Sequence, residues 1–115
     1  MSGTRELVIE VEEEEGVTIV KPAGEIDLGR SPALRVKLGE VIGRNSPRVI
    51  VDLSQVSYMD SSGVATLVEA LQQCRAGNQT LVLCSMQPRV HSIFEIARLD
   101  MVFKIVESLE EARTC

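Results

Sequence analysis

Residues 49–63 have the sequence VIVDLSQVSYMDSSG, and the pattern of these residues indicates the fold class. The first five residues of this stretch are almost continuously apolar, which is typical of a strand buried within a sheet. Asp60 and Ser61 are both good N-cap residues, so a helix is predicted to begin there. A buried strand followed by a helix is the unit from which parallel α/β sheets are built.

The same alternation of strand and helix continues on both sides of this stretch. Ser31 and Pro32 predict an N-cap followed by proline at the first helical position. Ser108 and Glu111 have the spacing of a capping box and predict a final helix. The first helix is predicted to stop at Asn45 to Pro47, and the second helix to end near Gly77. A strand is predicted from Thr80 to Cys84, and a short edge strand within residues 101–106. A third helix is predicted from Pro88, with an apolar stripe formed by Val90, Ile93, Phe94 and Ala97.

The N-terminal part of the chain predicts a β-hairpin. Apolar and polar residues alternate over residues 7–11, and residues 17–20 are mostly β-branched. The run Glu12 to Glu15 is expected to form the exposed turn, as a solvated face rather than a metal site. Residues 22–27 are expected to be a loop. The whole pattern predicts a single α/β domain over residues 1–115, with a mixed, mostly parallel sheet of four or five strands and about four α-helices.

Composition limits the classes of function. The chain has 115 residues, of which 44% are apolar, and this is enough for a core without metals or disulfides. The net charge of −5 argues against nucleic acid or an anionic membrane as a direct partner. No cofactor is expected, and aromatic residues make up only 3% of the chain, too few to form a stacking platform.

Cysteine usage and the N-terminus predict a cytoplasmic protein. Cys74, Cys84 and Cys115 are odd in number and widely spaced, so we expect reduced thiols, the first two as core residues. Met1 to Glu6 lacks the apolar core of a signal peptide. No stretch reaches the roughly 18 apolar residues needed to span a bilayer, so no membrane insertion is expected.

The start of the predicted second helix is the candidate site. The N–H groups and the positive end of the helix dipole are exposed at such a junction. Gly63 is expected to leave the backbone open to close approach by another surface. A phosphate on one of the two serines would add about −1.5 to −2 charges at a helix end that tolerates them. Capping alone remains an alternative explanation for the two serines.

Two motifs together make the chain resemble a known family. The first motif is Gly24 to Asp27 (GEID), and the second is Val51 to Leu53 followed by Met59 to Gly63 (MDSSG). With these motifs the chain resembles the anti-sigma factor antagonists of the STAS domain family, and the resemblance covers nearly the full chain. The resemblance implies a non-enzymatic partner-switching protein, a monomer or weak dimer. When unphosphorylated it would bind a serine-kinase anti-sigma factor and so free the sigma factor. Phosphorylation by that kinase would release it, and a serine phosphatase would reset it.

The resemblance also implies which residues form the site. The phosphoacceptor would be Ser61, and the partner-binding residues would be Asp27, Asp60, Ser61, Ser62 and Gly63. No catalytic residue and no metal ligand are implied. From helix geometry alone, Glu69 is a further candidate on the exposed polar side of the second helix.

Three other functions are alternatives. A serine hydrolase would need a base beside its nucleophile, yet His91 is the only histidine and no Gly-x-Ser-x-Gly is present. Nucleotide binding is disfavoured because the phosphate-binding glycine motifs are absent, although weak anion binding at the second helix remains possible. The last alternative keeps the fold but makes the chain a scaffold subunit of a signalling complex or a soluble partner of a membrane transport system.

Overall fold

The long strand β2 is the centre of the computed structural model, which describes residues 6–115. Most of the Met1 to Glu6 segment considered above therefore lies outside the described residues. The elements are β1 (Val8–Glu14), β2 (Val17–Ile26), α1 (Ser31–Gly43), β3 (Arg48–Asp52), β4 (Val56–Met59), α2 (Ser61–Ala76), β5 (Thr80–Cys84), α3 (Pro88–Ile96), β6 (Lys104–Val106) and α4 (Leu109–Thr114).

The described strands form a six-stranded mixed sheet in the order β1-β2-β3-β5-β6, with β4 paired to β2. Only β1 is antiparallel to its neighbour, and the other pairs are parallel. The first part of β2 (17–20) pairs with β3, and its last part (24–26) pairs with β4. The predicted fold class, mixed and mostly parallel with four helices, is confirmed, and the strand count is six.

Helices cover the two faces of the sheet unequally. One core contains apolar side chains of α1, α2 and α3 together with residues of all strands from β2 to β5. The smaller cluster on the opposite face is covered by α4, which packs against β3, β5 and β6. Its buried members are Ile19, Ile50, Val82, Cys84 and Ala112. None of the helices within residues 6–115 is both long and apolar enough to cross a membrane.

The predicted strand boundaries are wrong in two places. β2 continues to Ile26 through the predicted loop, because β1 pairs with it as far as Ala23 and β4 pairs with its end. The turn of the hairpin is limited to Glu15 and Gly16, since β1 extends to Glu14. β4 is an additional strand of four residues that connects β3 to α2.

The acidic run is exposed, as predicted, but Glu12 to Glu14 lie in β1 rather than in the turn and form surface ion pairs. Their partners are Lys21 of β2, Arg44 directly after α1, and Arg113 of α4. The N···O distances are 2.8 Å for Glu12 and Lys21, 2.7 Å for Glu13 and Arg44, and 3.0 Å for Glu14 and Arg113. The hydrogen bond from Arg113 lowers the pKa of Glu14 below its ordinary value.

Two details of the predicted helices are also wrong. Ser31 is the first residue of α1 rather than its N-cap, a position held by Arg30 without a side-chain cap. Ala97 is exposed because α3 ends at Ile96. By contrast, Ser108 is the N-cap of α4, and its Oγ accepts a hydrogen bond from the Glu111 N–H at 3.0 Å, as the capping-box spacing predicted.

The cysteines are free thiols, as expected. Cys74 and Cys84 are buried and Cys115 is exposed. Burial raises the pKa of Cys74, and that of Cys84, to about 11, because a thiolate is disfavoured away from water. Both buried side chains are therefore core residues that stay protonated at neutral pH.

Candidate functional site

The ends of β2 and β4 meet at the first turn of α2. The Asp60 N–H donates to the carbonyl oxygen of Ile26 at 3.1 Å. The Asp60 carboxylate accepts hydrogen bonds from the N–H groups of Ser62 at 2.9 Å and Gly63 at 3.4 Å. Asp60 is thus the N-cap of α2, as predicted, and it fixes the direction in which the helix leaves the sheet.

Asp60 also connects α2 to the loop after β2. The Ser62 hydroxyl donates to its carboxylate at 2.6 Å, and the Leu28 N–H lies close enough to help lower the pKa of Asp60. The hydrogen bond from the Ser62 hydroxyl lowers the pKa of Asp60 most, and the backbone N–H groups lower it further. Partial burial acts in the opposite direction and raises this pKa. The carboxylate is therefore ionised at neutral pH and holds the two segments together.

Asp27 shapes the same loop from its other side. Its carbonyl oxygen accepts from the N–H groups of Arg30 and Ser31 at 3.0 and 2.8 Å. Its carboxylate accepts from the Arg30 N–H at 3.1 Å and pairs with the Arg30 guanidinium at 2.5 Å. Asp27 therefore caps the start of α1 and holds the loop that reaches Asp60.

Leu28 is a candidate site residue that sequence analysis missed. It is 77% exposed, and its N–H lies near the Asp60 carboxylate. An apolar side chain held outward beside a helix N-terminus is available to a partner. The signal in the sequence was a leucine directly after the Gly-Glu-Ile-Asp motif, where a solvated loop would carry a polar residue.

The two adjacent serines have different environments. Ser61 is exposed, and its hydroxyl forms no hydrogen bond with any residue from 6 to 115. The Ser62 hydroxyl is occupied by its bond to Asp60. Ser61 is therefore the serine whose oxygen is accessible for modification, and Ser62 belongs to the capping network.

Gly63 has a packing role that differs from the one expected. It is buried, so its backbone is not open to a partner. A Cβ atom at this position would lie 2.6 Å from Met59 Cγ and 2.8 Å from Ile26 Cγ2. The absence of a side chain lets the first turn of α2 pack directly against the ends of β2 and β4.

Glu69 lies on the exposed side of α2, as helix geometry predicted. Its carboxylate pairs with Arg35 of α1 at 2.9 Å, and both side chains are about half exposed. Such a surface pair contributes at most about 1 kcal/mol. Glu69 is therefore placed at the junction of α1 and α2, about two turns from the end of the helix that carries Ser61.

His91 has no contact with either serine of the site. Its Nδ1 lies 3.9 Å from Glu95 Oε1 on α3. Within residues 6–115, no group of three or more histidine, cysteine or acidic residues is placed to hold a metal ion. His91 instead borders a surface groove of about 530 Å³, which is lined by Met86, Pro88, His91, Ile105, Val106 and Glu107.

The capping role of Asp60 predicts a pH-dependent loss of stability. Asp60→Ala is expected to lower the free energy of unfolding by about 1 kcal/mol at pH 7. Because the folded-state pKa lies below the ordinary value of 3.8, this contribution is complete above pH 3.8 and disappears as the pH falls through the folded value. Urea unfolding of both proteins at pH 7 and pH 3 measures it. Asp100→Ala is the control, because Asp100 lies in a loop and forms no hydrogen bond or ion pair with residues 6–115. If Asp60→Ala lowers the free energy of unfolding equally at both pH values, the capping role of the Asp60 carboxylate is contradicted.

Together, fold and site define a class: small α/β domains that present a serine at the N-terminus of a helix. The family model described as STAS domain matches residues 8–112. The chain belongs to the STAS domain family. Anti-sigma factor antagonists with this domain are regulatory proteins without enzymatic activity.

Within this family the chain is similar to anti-sigma factor antagonists. The anti-sigma-B factor antagonist of Listeria monocytogenes is 34% identical over 83 residues, which cover 72% of this chain and 73% of that protein. The anti-sigma F factor antagonist of Paenibacillus polymyxa is 28% identical over 109 residues, with 94% and 93% covered. A crystal structure of an anti-sigma factor antagonist from Mycobacterium paratuberculosis has a TM-score of 0.87 at 27% identity, with 94% and 92% covered.

Proposed function

We propose that this chain is an anti-sigma factor antagonist whose binding to an anti-sigma factor serine kinase is switched by phosphorylation of Ser61. The observation that carries this proposal is the difference between the two serines: the Ser61 hydroxyl is exposed and unbonded, whereas the Ser62 hydroxyl is held by Asp60. A kinase needs an accessible hydroxyl, and only Ser61 offers one in this turn. The family resemblance points to the same residue.

A phosphate on Ser61 is compatible with the fold. Ser61 is the first residue of α2, where the positive end of the helix dipole stabilises negative charge. The added charge of about −1.5 to −2 would stand beside the ionised carboxylate of Asp60. A partner that packs closely on this turn would then have to bury two adjacent anionic groups, which is strongly unfavourable. Binding is lost while the domain remains folded.

The partner is proposed to contact a switch surface formed by Asp27, Leu28, Asp60, Ser61 and Ser62. Gly63 supports this surface from below by setting the position of α2 against Met59 and Ile26. In the unphosphorylated state the surface binds the kinase, which releases its sigma factor and so changes transcription. A serine phosphatase restores the surface by removing the phosphate.

Cellular context and assembly follow from this proposal. A regulator of sigma factors acts in the cytoplasm, and we place the protein there. We also propose that residues 1–115 form one STAS domain that is a monomer or weak dimer. A defined high-order assembly on a sizing column would instead favour the scaffold role.

Mass spectrometry tests the proposed modification. The folded protein is incubated with ATP and a lysate of its own source cells, and its mass and its peptides are then measured. One phosphate, located on Ser61, is the expected result. Persistent absence of phosphate on Ser61 would favour a scaffold subunit or a partner of a transport system over the switch.

Leu28 is expected to be an anchor of the interface. Leu28→Ala removes an exposed apolar side chain at the centre of the switch surface, and we expect the affinity for the kinase to fall at least about tenfold. Folding stability should change by less than about 0.5 kcal/mol, because the side chain is solvated in the free protein. Calorimetric titration with the purified kinase measures the affinity.

Ile96→Ala is the matched control for Leu28. Ile96 is 84% exposed but lies at the C-terminal end of α3 rather than in the loop after β2. Its replacement should leave the affinity unchanged. If both variants bind as tightly as the unmodified protein, the partner does not use the loop after β2.

A further inference from the structure

On the sheet face that carries α4, no helix within residues 6–115 packs over β1, the end of β2 and β4. Strand register places Val8 opposite Ala23, and Glu10 opposite Lys21. Farther along the same register Glu12 is opposite Ile19, whose side chain belongs to the cluster under α4. Because side chains alternate along a strand, these residues of β1 and β2 share the α4 face.

The end of β4 extends this uncovered area. Tyr58 pairs with Glu25, while the next pair, Met59 and Ile26, points into the core on the other face. We use the name open sheet face for Val8, Glu10, Ala23, Glu25 and Tyr58. The six-residue helix α4 packs against β3, β5 and β6, and its Arg113 forms an ion pair with Glu14 of β1.

The open sheet face exposes apolar groups. Val8 is 60% and Tyr58 is 39% exposed, although both lie in strands of the sheet. Tyr58 is the only tyrosine of the chain. Aromatic side chains of this kind are frequent anchors of protein interfaces because they bury a large area with little loss of rotamer freedom.

Negative charge is in excess around these apolar groups. Glu10 and Glu25 are exposed and form no ion pair with residues 6–115. Lys21 pairs with Glu12 at 2.8 Å and also interacts electrostatically with Glu10 and Asp52, so a single cation faces several carboxylates here. Asp52 borders the face, because its register partner Cys84 belongs to the cluster under α4.

Asp52 adds a further carboxylate at this border. The residue is 9% exposed. One carboxylate oxygen accepts from the Ser54 N–H at 3.0 Å, and the other accepts no hydrogen bond from residues 6–115. This second oxygen reaches solvent, since no fully buried side-chain oxygen or nitrogen within residues 6–115 lacks a partner. A carboxylate with an accessible oxygen pairs most strongly with a cationic donor.

We propose that the open sheet face docks a basic amphipathic segment of a partner protein. Lysine or arginine side chains of the segment would pair with Glu10, Glu25 and the free oxygen of Asp52, and its apolar side chains would cover Val8 and Tyr58. A second copy of this chain is disfavoured because carboxylates would face carboxylates, and an anionic membrane is disfavoured for the same reason. This docking is separate from the switch surface and does not depend on Ser61.

A model peptide tests the location of binding. The probe is a synthetic amphipathic peptide of about 12 residues with lysine on one side and leucine on the other. It is titrated into the ¹⁵N-labelled full chain. Saturable shifts of the amides of Val8, Ala23, Glu25 and Tyr58 are expected, whereas shifts confined to the helices would overturn the proposal.

Charge-reversal variants separate docking from general attraction. Glu10→Lys with Glu25→Lys is expected to weaken peptide binding about tenfold. Glu40→Lys with Glu95→Lys changes the net charge equally but lies on α1 and α3, and it should change the affinity less than about twofold. Tyr58→Ala, which alters no charge, should weaken binding at least about threefold.

Three outcomes would overturn the proposal. The first is an equal loss of affinity in the two charge-reversal pairs, which would show attraction to net charge alone. The second is unchanged affinity in both Tyr58→Ala and the first pair. The third is a concentration-dependent shift of the same amides without peptide, which would assign the face to a second copy. Amide spectra of the variants without peptide establish whether each variant is folded. If the variant with Glu10→Lys and Glu25→Lys is not folded, the variant with Glu10→Gln and Glu25→Gln replaces it.

Discussion

Ser61→Asp is expected to bind the anti-sigma factor kinase at least about tenfold more weakly than the unmodified protein, while Ser61→Ala binds it with full affinity. The aspartate places a second carboxylate beside the ionised Asp60 at the point of closest contact. Alanine removes only a hydroxyl that has no hydrogen bond with residues 6–115. Calorimetric titration of each variant with the purified kinase measures the difference.

Ser62→Ala is the control for the modification itself. With kinase and ATP, Ser61→Ala should take up no phosphate, whereas Ser62→Ala should still be phosphorylated. Ser62→Ala should also lower the stability slightly, because the Ser62 hydroxyl donates to Asp60. Equal kinase affinity of Ser61→Ala and Ser61→Asp would contradict charge repulsion as the mechanism.

Gly63→Ala is expected to lower the free energy of unfolding by about 1–2 kcal/mol, although alanine is the better helix former. The added methyl group would meet Met59 Cγ at 2.6 Å and Ile26 Cγ2 at 2.8 Å, so α2 or the strand ends must move. The midpoint of thermal unfolding should fall by several degrees, at about 4–8 °C per kcal/mol for a domain near this size. Calorimetry measures both quantities.

Gly39→Ala is the matched control and should have the opposite sign. Gly39 is exposed in the interior of α1, and a Cβ atom there would meet nothing within 4 Å beyond the adjoining residues and backbone of its own helix. Alanine should therefore stabilise the protein by about 0.5–1 kcal/mol. If Gly63→Ala also stabilises, the close approach of α2 to β2 and β4 is not required.

The fold class could be predicted because local sequence and final packing agree over most of the chain. The apolar stretches at residues 49–53 and 80–84 are buried strands, and the caps at Asp60 and Ser108 begin helices as expected. In these segments periodicity, burial and capping are all local properties. They specify element type without knowledge of the strand order.

The wrong boundaries arise where distant parts of the chain determine the structure. Pro22 and Gly24 indicate a loop, yet pairing with β1 and β4 keeps residues 22–26 in a strand. The partners of Glu13 and Glu14 lie 31 and 99 residues away, so a local reading predicted only a solvated run. Such pairings depend on tertiary arrangement rather than on propensity.

The candidate site was predicted in part for a similar reason. Asp27, Asp60, Ser61 and Ser62 stand in motifs that the sequence displays, and the structure brings their segments together through Ile26 and Leu28. Burial of Gly63 and exposure of Leu28 depend on the approach of α2 to the sheet. Neither property is a feature of a short motif.

The pairing of Glu14 with Arg113 has a consequence for synthesis of the protein. During translation the hairpin is made first, but Arg113, which pairs with Glu14 at the far end of the hairpin, follows 99 residues later. The nascent hairpin is therefore not joined to α4 until residue 113 has been made and α4 has packed on the sheet. Chains that stop before residue 113 lack this contact at the sheet edge.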